Sequence, residues 1–159
     1  DRDWASDSEQ IRRTFDRLVR GNVPVHLVSF VEGTRLTLPK LNVAQAYARE
    51  NGLTVPRHTL VPRSKGFSAS VEGLRNHVTA VYDLTIAYEV GVPSLWQYLK
   101  GLVKSIHVHV RRFPIDDLPQ SADDLRRWLL ACWEEKNELL DHYYATGAFP
   151  NSAGRRVKS

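Results

Sequence analysis

Glu32, Gly33, Thr34 and Arg35 place a carboxylate, a glycine, a hydroxyl and a guanidinium side by side, directly after an apolar run at residues 23–31. Glycine permits a turn that strains other residues. An arginine leaving such a turn presents a rigid fork of donors suited to a phosphate or carboxylate. Glu32 is expected to fix the turn, either by accepting backbone N–H groups or by aligning Arg35. The block by itself predicts either an anion-binding turn or a strand end with a solvated arginine, and both interpretations stay open at this point.

Arg63 and Lys65 form a second basic turn, between Pro62 and Gly66. Two cations beside a proline and a glycine suit the phosphate of a substrate or cofactor. A solvated turn explains the same residues equally well, so both interpretations stay open.

The remaining reactive side chains favour structural roles. His107 and His109 share one face of a predicted strand and suit zinc, but no cysteine or carboxylate cluster completes a ligand set, and we expect them to face solvent. Cys132 lies on an apolar helical face and is expected to be a buried packing residue. The segment 95–100 carries a tryptophan and a tyrosine, which favour membrane interfaces. Core packing is the commoner role of such a segment.

These residues must be positioned by alternating helices and strands. The apolar pattern predicts helices at 7–20, 41–50 and 66–76, the first after a Ser6 capping box, and a long final helix capped by Ser121 and Asp124. Strands are predicted at 23–31, 60–61, 78–88 and 102–112. This alternation indicates an α/β fold with a mostly parallel or mixed sheet flanked by helices.

The composition limits the number of domains and the classes of partner but does not by itself identify the function. The 159 residues suffice for one core, and the absence of methionine suggests a start within a longer protein. The single cysteine excludes an internal disulfide. A net charge of +4 is compatible with nucleic acid, anionic lipid or phosphorylated substrates. We expect no nucleic-acid partner, because no aromatic stacking platform accompanies the basic residues.

The block Phe30 to Arg35 resembles the glycine block of the glycerolipid acyltransferases, which make phosphatidic acid from lysophosphatidic acid. Residues 60–67 resemble the proline block that follows it in eukaryotic 1-acyl-glycerol-3-phosphate acyltransferases, and Asp1-Arg2 resembles the end of the preceding block. Further similar segments are 40–47, 81–85 and 154–159. The resemblance covers nearly the whole chain.

The resemblance implies roles for particular residues. The arginines of the two neighbouring blocks, here Arg35 and Arg2, would bind the acceptor phosphate. Glu32, Gly33, Thr34, Arg63 and Lys65 would complete the substrate site. The family's catalytic Asn-His-x-x-x-x-Asp motif is not in this sequence. His77 and Asp83 do not replace it, because they are one residue too far apart and follow the glycine block.

We therefore expect residues 1–146 to be the C-terminal part of one acyltransferase domain, inactive alone, with a loose polar tail at 147–159. The resemblance implies acyl-coenzyme A as co-substrate, no metal or prosthetic group, and a parent protein in a membrane, that of the endoplasmic reticulum. The alternatives are a lysophospholipid or lysocardiolipin acyltransferase, or a non-catalytic lipid-binding relative.

Overall fold

The computed structural model describes residues 4–103 and 105–150, except the side chains of residues 4–8 and of Leu95. Five helices and two strands follow each other in the order α1, α2, α3, β1, α4, β2, α5. Their bounds are α1 Trp4–Arg20, α2 Leu38–Glu50, α3 Ser64–Leu74, β1 Ala80–Tyr88, α4 Leu95–Leu99, β2 Ile106–Pro114 and α5 Ala122–Thr146. Ser6 lies inside α1, so the predicted capping box at that helix start is wrong.

The long helix α5 forms as its sequence predicts. Its N-cap Ser121 accepts a hydrogen bond from the backbone N–H of Asp124 and so satisfies one of the free donors of the first turn. Gly147 ends the helix in the left-handed conformation, with φ of +81°. One face of α5 is buried along its whole length: Leu125, Leu129, Cys132, Lys136, Leu140 and Tyr143.

The core lies between α3, α5 and the hairpin. Phe67 and Val71 of α3 pack with Leu125 and Leu129 of α5 and with residues of the 3₁₀ turn Ile115–Asp117 that follows β2. Three apolar residues of α3 are buried, as the spacing of Phe67, Val71 and Leu74 predicts. Near the other end of α5, Phe149 is buried against Tyr143, so the chain is packed beyond the predicted start of the loose tail.

The sheet differs from the expectation. The fold is α/β, but β1 and β2 form a two-stranded antiparallel sheet. Residues 23–30 and 60–61, both predicted to be strands, are irregular. A strand requires a neighbour that exchanges ladder hydrogen bonds with it, and the described residues supply none for either segment. The predicted parallel pairing is therefore not seen in this part of the chain.

The two faces of the β1–β2 hairpin are oriented opposite to the expectation. His107 and His109 point towards α5, with ring centroids 5.2 Å from Tyr143 and 5.5 Å from Phe149. The expectation that both histidines face solvent is therefore wrong. The apolar residues that alternate with them are exposed on the other face, together with those of β1: Tyr82, Leu84, Ile86, Ile106, Val108 and Val110.

Charged side chains fix the hairpin to α5. The ammonium group of Lys136 is buried and donates to Asp83 Oδ1 at 2.6 Å and to the carbonyl of Leu84 at 2.8 Å. Arg111 donates to the other carboxylate oxygen of Asp83 at 2.7 Å and pairs with Glu135. An unpaired buried charge is costly. These contacts therefore explain why the polar face of the sheet, and not the apolar one, lies against the helix.

Candidate acceptor-binding turn

The glycine block forms a tight turn. The backbone N–H of Gly33 donates to the carbonyl of Phe30 at 2.8 Å, and Gly33 has a φ of +68°. This conformation is accessible to glycine at little cost and strains residues with a Cβ. The backbone conformation therefore favours glycine at this position, as the sequence indicates.

The proline block lies directly against this turn. The backbone N–H of Arg63 donates to the carbonyl of Val31 at 2.7 Å. The side chain of Arg63 crosses over Gly33, where an added Cβ would lie 3.2 Å from Arg63 Cδ and 3.3 Å from Arg63 Nε. The structure thus brings together two motifs that are about thirty residues apart in the sequence.

The side chain of Glu32 is directed towards α5. Its carboxylate accepts hydrogen bonds from the backbone N–H of Leu60 and from Trp133 Nε1, the latter at 3.3 Å. Burial raises the pKa of Glu32, against the opposing effects of these two hydrogen bonds and of the nearby Lys136. The contact with Trp133 joins the glycine turn to α5, and a role for Glu32 in fixing the turn stays a prediction.

Arg35 leaves the turn on the exposed side. Its Nη2 donates to the carbonyl of Pro93 at 3.3 Å, in the segment before α4. A single bond to a neutral carbonyl leaves the other donors of a guanidinium available to an anion. Arg35 is therefore positioned by a distant loop while it remains accessible to solvent.

Lys40 is a member of this site that the sequence reasoning did not single out. Its ammonium group donates to the hydroxyl of Thr34 and lies 3.5 Å from the carbonyl oxygen of Arg35. Lys40 is in the first turn of α2, five residues after Arg35. A lysine in the first helical turn after a glycine turn was the signal available in the sequence.

The other predicted residues fall in three places. Lys65 is exposed in the first turn of α3, two residues after Arg63. Arg2 lies outside the described residues. His77 donates from Nε2 to the carbonyl of Val23 at 2.6 Å, while Asp83 is engaged by Lys136 and Arg111. His77 and Asp83 are therefore separate structural groups and not a catalytic pair.

A cavity of about 30 Å³ lies between the proline block and α5, lined by residues that include Leu60, Pro62 and Trp133. A space of this size holds little more than one water. Among the described residues, no helix combines the length and the apolarity that a bilayer span needs.

Comparison with known proteins shows similarity to named acyltransferases. Residues 97–159 match the family model described as acyltransferase C-terminus. The chain is 37% identical to "1-acyl-sn-glycerol-3-phosphate acyltransferase 2" of Brassica napus, over 100% of this chain and 42% of the relative. It is 36% identical to the protein of the same name in Arabidopsis thaliana, over 100% of this chain and 42% of the relative.

A human relative shows the same partial coverage. The chain is 34% identical to "1-acyl-sn-glycerol-3-phosphate acyltransferase delta" of Homo sapiens, over 95% of this chain and 40% of the relative. No solved structure matches the chain. The chain spans about two fifths of the length of these curated relatives. Along its whole length the chain is thus similar to proteins named 1-acyl-sn-glycerol-3-phosphate acyltransferases.

Proposed function

We propose that the whole protein transfers a fatty acyl group from acyl-coenzyme A to the sn-2 hydroxyl of lysophosphatidic acid. The hydroxyl loses its proton to a base, the thioester C–S bond breaks, an ester C–O bond forms, and phosphatidic acid and free coenzyme A leave. The names of the relatives support this reaction. Acyl-coenzyme A as donor and a location in the endoplasmic reticulum membrane are parts of the same proposal.

In this reaction the present chain holds the phosphate of the acceptor. The observation that supports this assignment is that the negative and positive side chains of the turn lie on different sides of it. The carboxylate of Glu32 is directed inward to Leu60 and Trp133, whereas Arg35 is exposed. An anion approaching Arg35 therefore avoids the repulsion that an adjacent carboxylate would otherwise exert.

Two further cations support the assignment, because they contact the same turn. Arg63 covers Gly33, and Lys40 donates to Thr34. A phosphate bound bidentately by Arg35 would find additional positive charge on both sides of the turn. Lys65 and Arg2 remain in the proposed site on the family resemblance alone.

The base and its orienting carboxylate are proposed to come from the family's Asn-His-x-x-x-x-Asp motif, which the 159 residues do not contain. Positioning of the acceptor without a base does not remove the proton of the hydroxyl. We therefore expect the isolated chain to bind the acceptor without transferring an acyl group.

We also propose that residues 23–31 belong to a larger parallel or mixed sheet in the whole protein. This segment is rich in β-branched residues, and Phe30 is 84% exposed. Apolar side chains on an irregular segment gain stability when a neighbouring strand covers them. The greater length of the relatives is consistent with additional strands.

An acceptor panel tests the proposed reaction. The full-length protein is assayed with acyl-coenzyme A and either lysophosphatidic acid, lysophosphatidylcholine or a lysocardiolipin, and kcat/KM is compared. The proposal predicts the highest value for lysophosphatidic acid. A higher value for another acceptor would make the protein a different lysophospholipid acyltransferase, and the absence of transfer to all three would make it a binding protein.

A further inference from the structure

The segment between the two strands exposes large apolar side chains. We call residues 89–103 the α4 loop, because they contain the short helix α4. Val90 is 94% exposed, Leu99 is 67% exposed and Trp96 is 66% exposed. Val92, Tyr98 and Leu102 are also more than half exposed. Single exposed apolar residues are ordinary, but a cluster of six within one loop indicates a surface that contacts another phase or partner.

The α4 loop has defined local structure. Ser94 and Gln97 form a reciprocal capping box at the start of α4. Gly91 and Gly101 adopt φ values of +76° and +67° and so permit the chain to turn on either side of the helix. The apolar side chains are thus presented by a capped helix between two turns.

Its composition fits a membrane interface better than a protein core. The α4 loop has two charged residues, Glu89 at its first position and Lys100, whose ammonium group lies 5.2 Å from the centroid of the Trp96 ring. Tryptophan and tyrosine are amphipathic rings that favour the headgroup level of a bilayer. A lysine with an apolar stem at the same depth can direct its charge to anionic lipid headgroups.

The α4 loop is joined to the proposed acceptor site. Arg35 Nη2 donates to the carbonyl of Pro93, so the guanidinium is held against the loop. The phosphate of a lysophospholipid in a membrane lies at the headgroup level. A loop that enters the membrane to this depth would place Arg35 where that phosphate is found.

We propose that the α4 loop inserts into the interfacial layer of a phospholipid membrane and thereby holds Arg35 at the level of the acceptor phosphates. The role given to Arg35 rests on the proposed function. The insertion of the loop does not, because it is argued from the exposure and composition of the loop itself.

A fluorescent probe on the loop tests the insertion. Leu99→Cys and, as a matched control, Val43→Cys are introduced into the 159-residue chain and labelled with a polarity-sensitive maleimide. Val43 is 70% exposed on α2 and lies outside the loop. The native thiol should not compete for the label, because Cys132 is buried and burial raises its pKa to about 11.

Vesicles of phosphatidylcholine with a minor fraction of phosphatidic acid are then added. The emission of the probe at position 99 is expected to shift to the blue and to increase, while the probe at position 43 stays unchanged. An unchanged probe at position 99, or an equal shift at both positions, would overturn the proposal. A blue shift that appears without vesicles as the protein concentration rises would also overturn it, in favour of contact between two copies.

A second measurement uses the unlabelled chain. Trp96→Ser combined with Leu99→Ser should lower the affinity for the same vesicles, measured by co-sedimentation, by about tenfold or more. The reason is that two large apolar side chains are no longer transferred from water into the membrane. Val43→Ser should leave it unchanged. Equal binding by the double variant and the parent chain would contradict insertion through this loop. Neither readout involves acyl transfer, so failure here is distinguishable from failure of the proposed reaction.

Discussion

The indole Nε1 of Trp133 lies 3.3 Å from Oε1 of Glu32, across a separation of 101 residues in the sequence. One helical turn further along α5, the ammonium group of Lys136 lies 4.9 Å from the Trp133 ring and bonds to Asp83 on β1. The glycine turn and the hairpin are thus attached to the same side of α5. This attachment directs the carboxylate of Glu32 inward and leaves the basic side of the turn exposed.

Gly33→Ala should affect both stability and acceptor binding. A Cβ in the left-handed conformation costs about 1 kcal/mol, and at this position it would also displace the side chain of Arg63. Gly52→Ala is the matched control, because Gly52 has a φ of +64° and nothing within 4 Å of an added Cβ. Urea unfolding should show similar losses of stability in the two variants. In the full-length protein, Gly33→Ala alone should raise the KM for lysophosphatidic acid.

An equal KM for lysophosphatidic acid in the Gly33→Ala and Gly52→Ala variants would mean that the position of Arg63 over the turn has no role in acceptor binding.

Glu32→Gln should change the pH dependence of stability. Because burial raises the pKa of Glu32, the folded protein binds this proton more tightly than the unfolded chain does. Folding therefore favours the protonated form of Glu32. The contribution of Glu32 to the free energy of unfolding falls as the pH rises from 4.5, the ordinary pKa of a glutamate, through the raised pKa of the folded state. Glutamine does not titrate, and its amide oxygen can still accept hydrogen bonds.

The measurement is the difference in free energy of unfolding between the Glu32→Gln variant and the parent chain, taken from about pH 4 to about pH 7. Groups common to both proteins cancel in this difference. The variant should gain relative stability as pH rises. A difference that stays constant, or that favours the parent chain more at higher pH, would contradict a raised pKa for Glu32.

Lys136→Met should be strongly destabilising. Lys136 is only 6% exposed, and its ammonium group donates hydrogen bonds to Asp83, to the carbonyl of Leu84 and to the hydroxyl of Thr85. Removal of one member of a buried ion pair leaves the other charge without full compensation, at a cost of about 3 kcal/mol. Chemical unfolding measures this loss directly.

The double variant Lys136→Met, Asp83→Asn should recover part of that loss, because the carboxylate that has lost one of its two cations is neutralised, while Arg111 keeps its pair with Glu135. As a control, Arg12→Ala breaks an exposed pair with Glu9 and should leave the unfolding midpoint unchanged. Equal effects of the Lys136 and Arg12 substitutions would show that the buried pair contributes no more than the surface pair.

Local patterns predicted α1, α2, α3 and α5 but not the short α4, and this success has a physical basis. The caps and apolar face of α5 and the buried face of α3 depend on residues three or four positions apart, so a single sequence displays them. The polarity of the hairpin was not predictable in this way. Alternation in β2 defines two faces, but Tyr143, Phe149 and the buried Lys136 determine which face is covered.

The candidate site was likewise predictable from the sequence only where it depends on residues close together in the chain. The turn and the proposed phosphate-binding role were both predicted from Gly33 and Arg35, which are only two positions apart in the sequence. The contact of Trp133 with Glu32 and that of Arg35 with Pro93 join residues 101 and 58 positions apart, so no local pattern indicates them. Residues 23–31 have the composition of a strand, but composition does not supply the neighbour that a strand requires.

Replacement of Arg35 by alanine in the full-length protein tests the central claim most directly. The loss of a charge-assisted, bidentate contact should raise the KM for lysophosphatidic acid by about tenfold to a hundredfold and leave that for acyl-coenzyme A nearly unchanged. Arg35→Lys keeps the positive charge without the forked guanidinium, so its KM for lysophosphatidic acid should lie between those of the unsubstituted protein and of Arg35→Ala. Arg49→Ala, an exposed arginine of α2, should change neither KM. Equal increases in both KM values for Arg35→Ala, or no increase for lysophosphatidic acid, would contradict the account.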